Sequence, residues 1–290
     1  MPFKPTSLTH RVCPLCGRDN VSTPPDPVYS RDIWLTKRCA DCGFVYLENP
    51  PHYEAFANEF AWEKTSQLEH ERRRAEEPVI DWLSQGARWF RRRVLKRNKL
   101  VTLTDRFVNR GRLLDVGCGK GTQLLNLLDE RFQPYGIEIS TALAAHADAV
   151  FKPHGGHCVC NNAIDGLREF GPDLFDGILM KSYLEHEVSP FPVCEGALHA
   201  LKPGGVLIIK VPNFSSWNRY VRRKRWCGLR YPDHVNYFTP RQLVGLVREV
   251  GFEIVRFNFF DKLPTSDNMW LVARKPHAES DQMADASAAR

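Results

Sequence analysis

The 290-residue chain is predicted to be an α/β protein. Its core is a doubly wound, Rossmann-like sheet with an antiparallel last strand, carrying a small cysteine-rich module at the N-terminus. Three observations point there. Short apolar runs alternate with amphipathic stretches from about residue 111 to 275, the pattern of repeated βα units. One of those runs ends in a glycine-rich loop that opens a helix. Two Cys-x-x-Cys pairs stand within the first 45 residues.

The elements follow in order. Arg112 to Val116 reads as a buried strand and Thr122 to Phe132 as a helix. Pro134 to Ile139 is the second strand, and an Ala-rich helix starts at Thr141. Cys158 to Cys160 is a weaker strand, whereas Phe175 to Met180 and Val206 to Val211 are strongly apolar. The helix between those two is expected to end at Lys202-Pro203-Gly204-Gly205, with the glycines as a C-cap. A last helix, Pro240 to Val250, leads into two β-rich runs, Phe252 to Phe260 and Met269 to Arg274.

Composition divides the chain into a cysteine module (1–52), a helical linker or lid (53–110), the α/β domain (111–275) and a polar tail expected to be disordered (276–290). The linker has apolar positions Val79, Trp82, Leu83, Trp89 and Phe90 at helical spacing. Apolar content of 43% and charged content of 26% are those of a folded soluble protein. No run is long enough to span a bilayer, and no secretion signal precedes the nine cysteines, so the expected compartment is the cytoplasm. The net charge of +6 comes largely from Arg72-Arg73-Arg74, Arg91-Arg92-Arg93 and Arg222-Arg223-Lys224-Arg225. These read as solvated helix faces, with phosphate or anionic lipid as the alternative.

The loop Asp115-Val116-Gly117-Cys118-Gly119-Lys120-Gly121 carries the sharpest chemical signal. Its spacing is Gly-x-Gly-x-Gly, not the Gly-x-Gly-x-x-Gly of a dinucleotide fingerprint. A carboxylate at Asp115 repels a pyrophosphate but suits the cationic amino group of a methionine moiety. Glu138, ending the next strand, stands where a ribose diol could donate to it. The ligand these residues favour is S-adenosylmethionine.

At this point the sequence resembles the class I methyltransferase family. The Asp115–Gly121 loop looks like its first motif, and Glu138 matches its ribose-binding acid. Phe175-Asp176-Gly177-Ile178, Tyr183-Leu184-Glu185-His186, Leu201-Lys202-Pro203-Gly204-Gly205 and Val211-Pro212-Asn213 follow in the family's order. The resemblance implies a cofactor site formed by Asp115, Gly117, Cys118, Gly119, Gly121, Glu138, Ile139, Asn162, Ala163 and Lys181. Asn162 replaces the acid that commonly faces adenine; its amide oxygen can still accept from the exocyclic amine.

Methyl transfer from a sulfonium needs alignment and, for a hydroxyl or carbon acid, a base. His186 and His234 are the candidates, with structural or substrate contacts as the alternative reading, and Tyr183, Asn213 and Tyr237 are candidate substrate contacts. The stretch from Pro212 through Trp226, His234, Phe238 and Phe252 resembles a bacterial small-molecule branch in which it caps the active site. Neither an Asn/Asp-Pro-Pro-Tyr motif nor a Pro-Cys nucleophile is present, which argues against methylation of DNA bases.

Cys13-Pro14-Leu15-Cys16-Gly17 and Cys39-Ala40-Asp41-Cys42-Gly43 read as two knuckles of one four-thiolate zinc site, closed and therefore structural. This module resembles the N-terminal ribbons of bacterial methyltransferases, including sugar methyltransferases. The expected substrate is thus a small molecule, such as a sugar or nucleotide sugar. A nucleic acid partner is not expected, and the oligomeric state is open. The alternatives are an RNA or ribosomal-protein methyltransferase docking through the ribbon, and a non-catalytic scaffold.

Overall fold

The computed structural model describes residues 10–51 and 98–277, apart from Asn126 and Leu128, together with the isolated residues Glu71 and Gly86. Of the expected helical linker or lid, residues 98–110 are described and hold a helix, Lys99–Phe107, while the rest with its two arginine runs, apart from Glu71 and Gly86, and nearly all of the expected tail lie outside the described residues.

Among the described residues, ten strands form two sheets. The smaller is made of β1 (Thr36–Arg38), β2 (Val45–Leu47) and β8 (Asn236–Tyr237), in that order. The larger uses β3 (Gly111–Val116), β4 (Phe132–Glu138), β5 (His157–Cys160), β6 (Phe175–Lys181), β7 (Leu201–Pro212), β9 (Glu253–Arg256) and β10 (Asn268–Arg274). Its order is β5-β4-β3-β6-β7-β10-β9, with β10 antiparallel to both neighbours and the first five strands parallel. The order reverses between β3 and β6, so the cleft for a ligand opens at their carboxyl ends.

The α-helices bounded within the described residues are α1 (Lys99–Phe107), α2 (Thr122–Leu125), α3 (Thr141–Phe151), α4 (Ala163–Phe170), α5 (Pro190–Ala200), α6 (Trp217–Arg222) and α7 (Pro240–Glu249). They cover both faces of the sheet. Val116, Ile178, Ile209 and Leu271 meet α4, α5 and α7 residues on one side. Leu113, Leu179 and Ile208 meet Leu103, Ala147 and Phe151 on the other. Strands buried on both faces explain the near-continuous apolar runs of β6 and β7.

Three local expectations are corrected. The helix expected over Thr122 to Phe132 stops at Leu125, and β4 starts at Phe132 rather than at Pro134. The Asp129 carboxylate accepts from the Arg131 backbone N–H at 2.9 Å, a local turn that competes with helix. The helix before β7 ends at Ala200, capped by extended Leu201, and Gly204-Gly205 lie inside the strand. There they pair with Lys275: the Gly204 N–H donates to its carbonyl, and its N–H donates to the Gly205 carbonyl, each at 2.9 Å. Finally, the run Phe252 to Phe260 is strand only to Arg256. Asn258 and Asp261 then form a reciprocal capping pair around a 3-10 turn, Phe259–Asp261.

A candidate cofactor cleft and a braced pair of histidines

At the end of β3, Gly117, Gly119 and Gly121 have φ of 72°, 56° and 73°, which L side chains rarely adopt. A Cβ on Gly117 would meet the Tyr183 ring at 2.8 Å, and one on Gly121 would meet Phe151 at 2.8 Å. The loop therefore passes under Tyr183 with main chain facing the cleft. Glu138 braces it: one carboxylate oxygen accepts from the Gly119 N–H at 2.9 Å, the other from the Ser140 N–H at 3.0 Å. Each oxygen keeps a second lone pair for a ligand hydroxyl.

Asp115 lies in register between Gly136 and Leu179 and is buried, with 3% of its surface exposed. Burial pushes its carboxyl up to about 7; Lys181 opposes the rise and Glu138 adds to it. The site thus offers a desolvated carboxyl that a cation would ionise. The Lys181 ammonium donates to the Gln123 side-chain oxygen.

The remaining candidates are placed unevenly. Ala163 is buried and Ile139 half-buried at the same strand ends. Asn162 caps α4: its Oδ1 accepts from the Asp165 N–H at 2.9 Å, leaving one lone pair over. The Cys118 sulfur turns into the core against the Cys158 sulfur at 3.6 Å, so only its main chain is near the loop surface. Asn213 is buried and closes a turn by accepting from the Ser215 N–H at 3.0 Å. The Tyr237 hydroxyl donates to the His234 carbonyl at 2.8 Å within an aromatic cluster of Tyr29, Phe214 and Trp226.

His186 and His234, 48 residues apart in sequence, meet with ring centroids 4.7 Å apart and planes at 88°. His186 Nδ1 lies 2.9 Å from the Asp233 carbonyl, and His234 Nδ1 lies 2.8 Å from the Gly228 carbonyl. A carbonyl only accepts, so both Nδ1 atoms carry the proton and both Nε2 atoms offer a lone pair. Burial, with Arg230 and Lys210 nearby, pushes His186 down to about 3, and burial with His186 and Arg230 holds His234 well below its usual value. Both rings are therefore neutral at pH 7.

Glu185 completes this cluster. Its carboxylate and the two imidazoles have polar atoms within 4.8 Å of one another. Glu185 is 1% exposed, its Oε2 lacks a hydrogen-bond partner among the described residues, and burial raises its carboxyl to about 7 against the pull of Lys210. Sequence reading passed over Glu185 although it stands in the same Glu-His motif; the adjacent histidine drew the assignment. Glu187, which accepts from the Tyr183 hydroxyl at 2.6 Å, was likewise missed.

The cluster is held by a mesh of long-range hydrogen bonds. The Val235 and Asn236 N–H groups donate to the Glu185 carbonyl at 2.7 and 3.1 Å. The Asn236 amide donates to the Leu184 and Glu187 carbonyls at 2.8 and 2.7 Å. Buried Arg11, just before the first knuckle, donates to the carbonyls of Val235 and Val188 and to Asn236 Oδ1, at 3.1, 2.5 and 2.8 Å.

The knuckles themselves match each other. Cys13 N–H donates to Arg18 O and Gly17 N–H to Cys13 O; Cys39 N–H donates to Phe44 O and Gly43 N–H to Cys39 O. Gly17 and Gly43 have φ of 71° and 68°. The four sulfurs lie within 4.8 Å of one another, and Cys13–Cys42 and Cys16–Cys39 are each 3.5 Å apart. Four thiols converging like this suit a tetrahedral ion. Between the N-terminal module, α4 and the segment leading into α5, a cavity of about 680 Å³ is bounded by Pro50 and Pro51, by Asn162 and Ile164, and by Glu187 and Ser189.

The profile of a methyltransferase-domain family matches residues 87–256, more than half of the chain. The chain belongs to this family and is an S-adenosylmethionine-dependent methyltransferase. Among curated proteins it is 23% identical over 171 residues to an uncharacterised protein of Methanocaldococcus jannaschii, covering 58% of this chain and 78% of that one. It is 28% identical over 157 residues to the ubiquinone biosynthesis O-methyltransferase of Burkholderia vietnamiensis, covering 50% of this chain and 65% of that protein. The matched region thus spans just under two thirds of the ubiquinone relative's length. A solved S-adenosylmethionine-dependent methyltransferase from Archaeoglobus fulgidus is 18% identical, covers 61% of this chain and 93% of that one, and superposes with a TM-score of 0.47.

Proposed function

We propose that this enzyme methylates a small molecule or saccharide intermediate by direct in-line transfer, using Glu185, His186 and His234 to receive the acceptor proton. The observation that carries this reading is the cluster of two neutral imidazoles and the buried Glu185 carboxyl, whose Oε2 has no hydrogen-bond partner among the described residues, after the end of β6.

The cofactor's sulfonium activates the methyl group, so the chain's task is binding, alignment and proton removal. Asp115 would take the methionine ammonium, the main chain of Gly117 and Gly119 would pass beneath it, and Glu138 would take the ribose hydroxyls. Ile139, Asn162 and Ala163 would border the adenine. On the acceptor side an Nε2 lone pair would accept the proton of the attacking group. Glu185, with its carboxyl near 7, would stabilise the imidazolium against the opposing charges of Arg230 and Lys210. Tyr183, packed over Gly117, would separate the methyl group from solvent.

The cavity beside Asn162 and Glu187 has the volume of a small-molecule site. The likeness to enzymes named for ubiquinone O-methylation supports an acceptor hydroxyl. Zinc is the proposed ion for Cys13, Cys16, Cys39 and Cys42, which would be deprotonated and fill all four positions, leaving it structural. A screen of phenolic and nucleotide-sugar acceptors, read by release of S-adenosylhomocysteine, tests the assignment. Turnover with one class supports it; tight cofactor binding with turnover only on RNA overturns it.

A further inference from the structure

The basic run Arg222–Arg225 has no part in the chemistry above, yet it adjoins a group of large, exposed apolar side chains. Trp217, Tyr220 and Val221 are 62%, 60% and 83% exposed. They stand at i, i+3 and i+4 of α6, so they share one helix face. Phe259 and Phe260, 60% and 72% exposed, belong to the 3-10 turn before the neighbouring loop. The two segments are tied together, since the Trp217 N–H donates to the Pro264 carbonyl at 2.8 Å.

This face is built rather than frayed. Asp267 accepts from Ser216 Oγ at 3.1 Å, Asn218 Nδ2 at 3.0 Å and Trp226 Nε1 at 2.7 Å, fixing the start of α6 and the residue after the basic run to the start of β10. Arg223, Lys224 and Arg225 follow as exposed cations. The register places the patch: β7 ends at Pro212 opposite Asn268, so α6 and the 259–267 loop both stand at the carboxyl edge of the sheet. That is the edge carrying Glu138 and Lys181. The same segment between β7 and α7 bears His234 on its buried side.

We infer that the Trp217–Arg225 face docks the enzyme onto an anionic lipid surface. Aromatic rings beside a cluster of cations match the two layers of a bilayer interface, the apolar boundary and the phosphate headgroups. A second copy of the chain is a poor occupant, because a two-fold contact would set one cation run against the other. Docking here would hold the acceptor side of the cleft toward the membrane, where a lipid-borne acceptor could enter. The binding itself needs neither cofactor nor acceptor, so it stands or falls separately from the proposed reaction.

The test is co-sedimentation of the full chain with phosphatidylcholine vesicles, with and without phosphatidylglycerol. Wild-type protein is expected to bind the anionic vesicles only, and binding should weaken with salt. Reversing two surface cations, Lys224→Glu with Arg225→Glu, should lower the partition coefficient by more than about tenfold. Trp217→Ser with Val221→Ser should also release the protein, and S-adenosylmethionine affinity should be unchanged in both variants. Equal binding to neutral vesicles, no difference between wild type and variants, or a wild-type dimer that both variants dissociate would overturn the inference.

Discussion

The proposed donor and acceptor halves of the cleft are built by different means. The donor half is local: one strand–loop–helix unit supplies Asp115 and the glycines, and the neighbouring strand supplies Glu138, whose carboxylate braces the loop. The acceptor half is assembled from three distant stretches. His186 follows β6, His234 comes from the segment before α7, and Arg11 comes from the ribbon to tie Val188, Val235 and Asn236 together. Strand β8, two residues beyond His234, pairs with ribbon strand β2, Val45 opposite Tyr237. The donor half should therefore tolerate damage to the ribbon, and the acceptor half should not.

Replacing the carboxyl proposed to stabilise the imidazolium, Glu185→Gln, should break the comparison most sharply. The turnover number should fall on the order of 10²–10⁴-fold. Cofactor affinity, set by the other half, should stay within a few-fold, as titration calorimetry would show. Asp115→Asn should do the reverse in binding, weakening S-adenosylmethionine at least about 30-fold through loss of a buried charge-assisted contact. The same variant should be more stable than wild type at pH 8 and equal to it near pH 4. The sign follows from the raised carboxyl: between the ordinary carboxylate range and about pH 7 the unfolded chain gives up this proton while the folded state holds it, so wild-type stability falls across that window and stays lowered above it, a penalty asparagine escapes. Thermal unfolding at the two pH values checks it.

A smaller effect sharpens the distinction. Cofactor affinity should rise with pH up to about 7 and then level off, because the incoming ammonium must displace the Asp115 proton. Binding heats at pH 6 in two buffers of different ionisation enthalpy should reveal nearly one proton released in wild type and none in Asp115→Asn. At saturating cofactor the turnover number should rise over a similar range through Glu185, so the two limbs separate into affinity and rate.

What was legible in the sequence follows the same division. Asp115, the positive-φ glycines and Glu138 sit within 24 residues, and their spacing reflects backbone geometry that few residues can satisfy. The parallel strands and the antiparallel end were readable because continuous apolar runs mark doubly buried strands. The helix after the loop was read too long because Leu124, Leu125, Leu127 and Leu128 keep helical spacing, while the Asp129–Arg131 turn that leads into β4 is made by a side-chain contact. Gly204-Gly205 carried a cap signal, yet the partner that makes them strand, Lys275, is 70 residues away. The bracing role of Arg11 and Asn236 left no local trace at all, since its partners lie up to 225 residues apart. Periodicity reports an element's own face; it does not report which distant loop will use that element's carbonyls.

The central claim is that the ribbon maintains the acceptor half and leaves the donor half to the sheet. The most direct measurement is hydrogen exchange of the zinc-loaded and chelator-stripped protein, each with S-adenosylmethionine titrated alongside. The account predicts that stripping speeds exchange of the Val235 and Asn236 amides and abolishes turnover, while protection of β3 and β4 and cofactor affinity persist. Equal loss of cofactor binding, or unchanged protection at Val235 and Asn236, would contradict it.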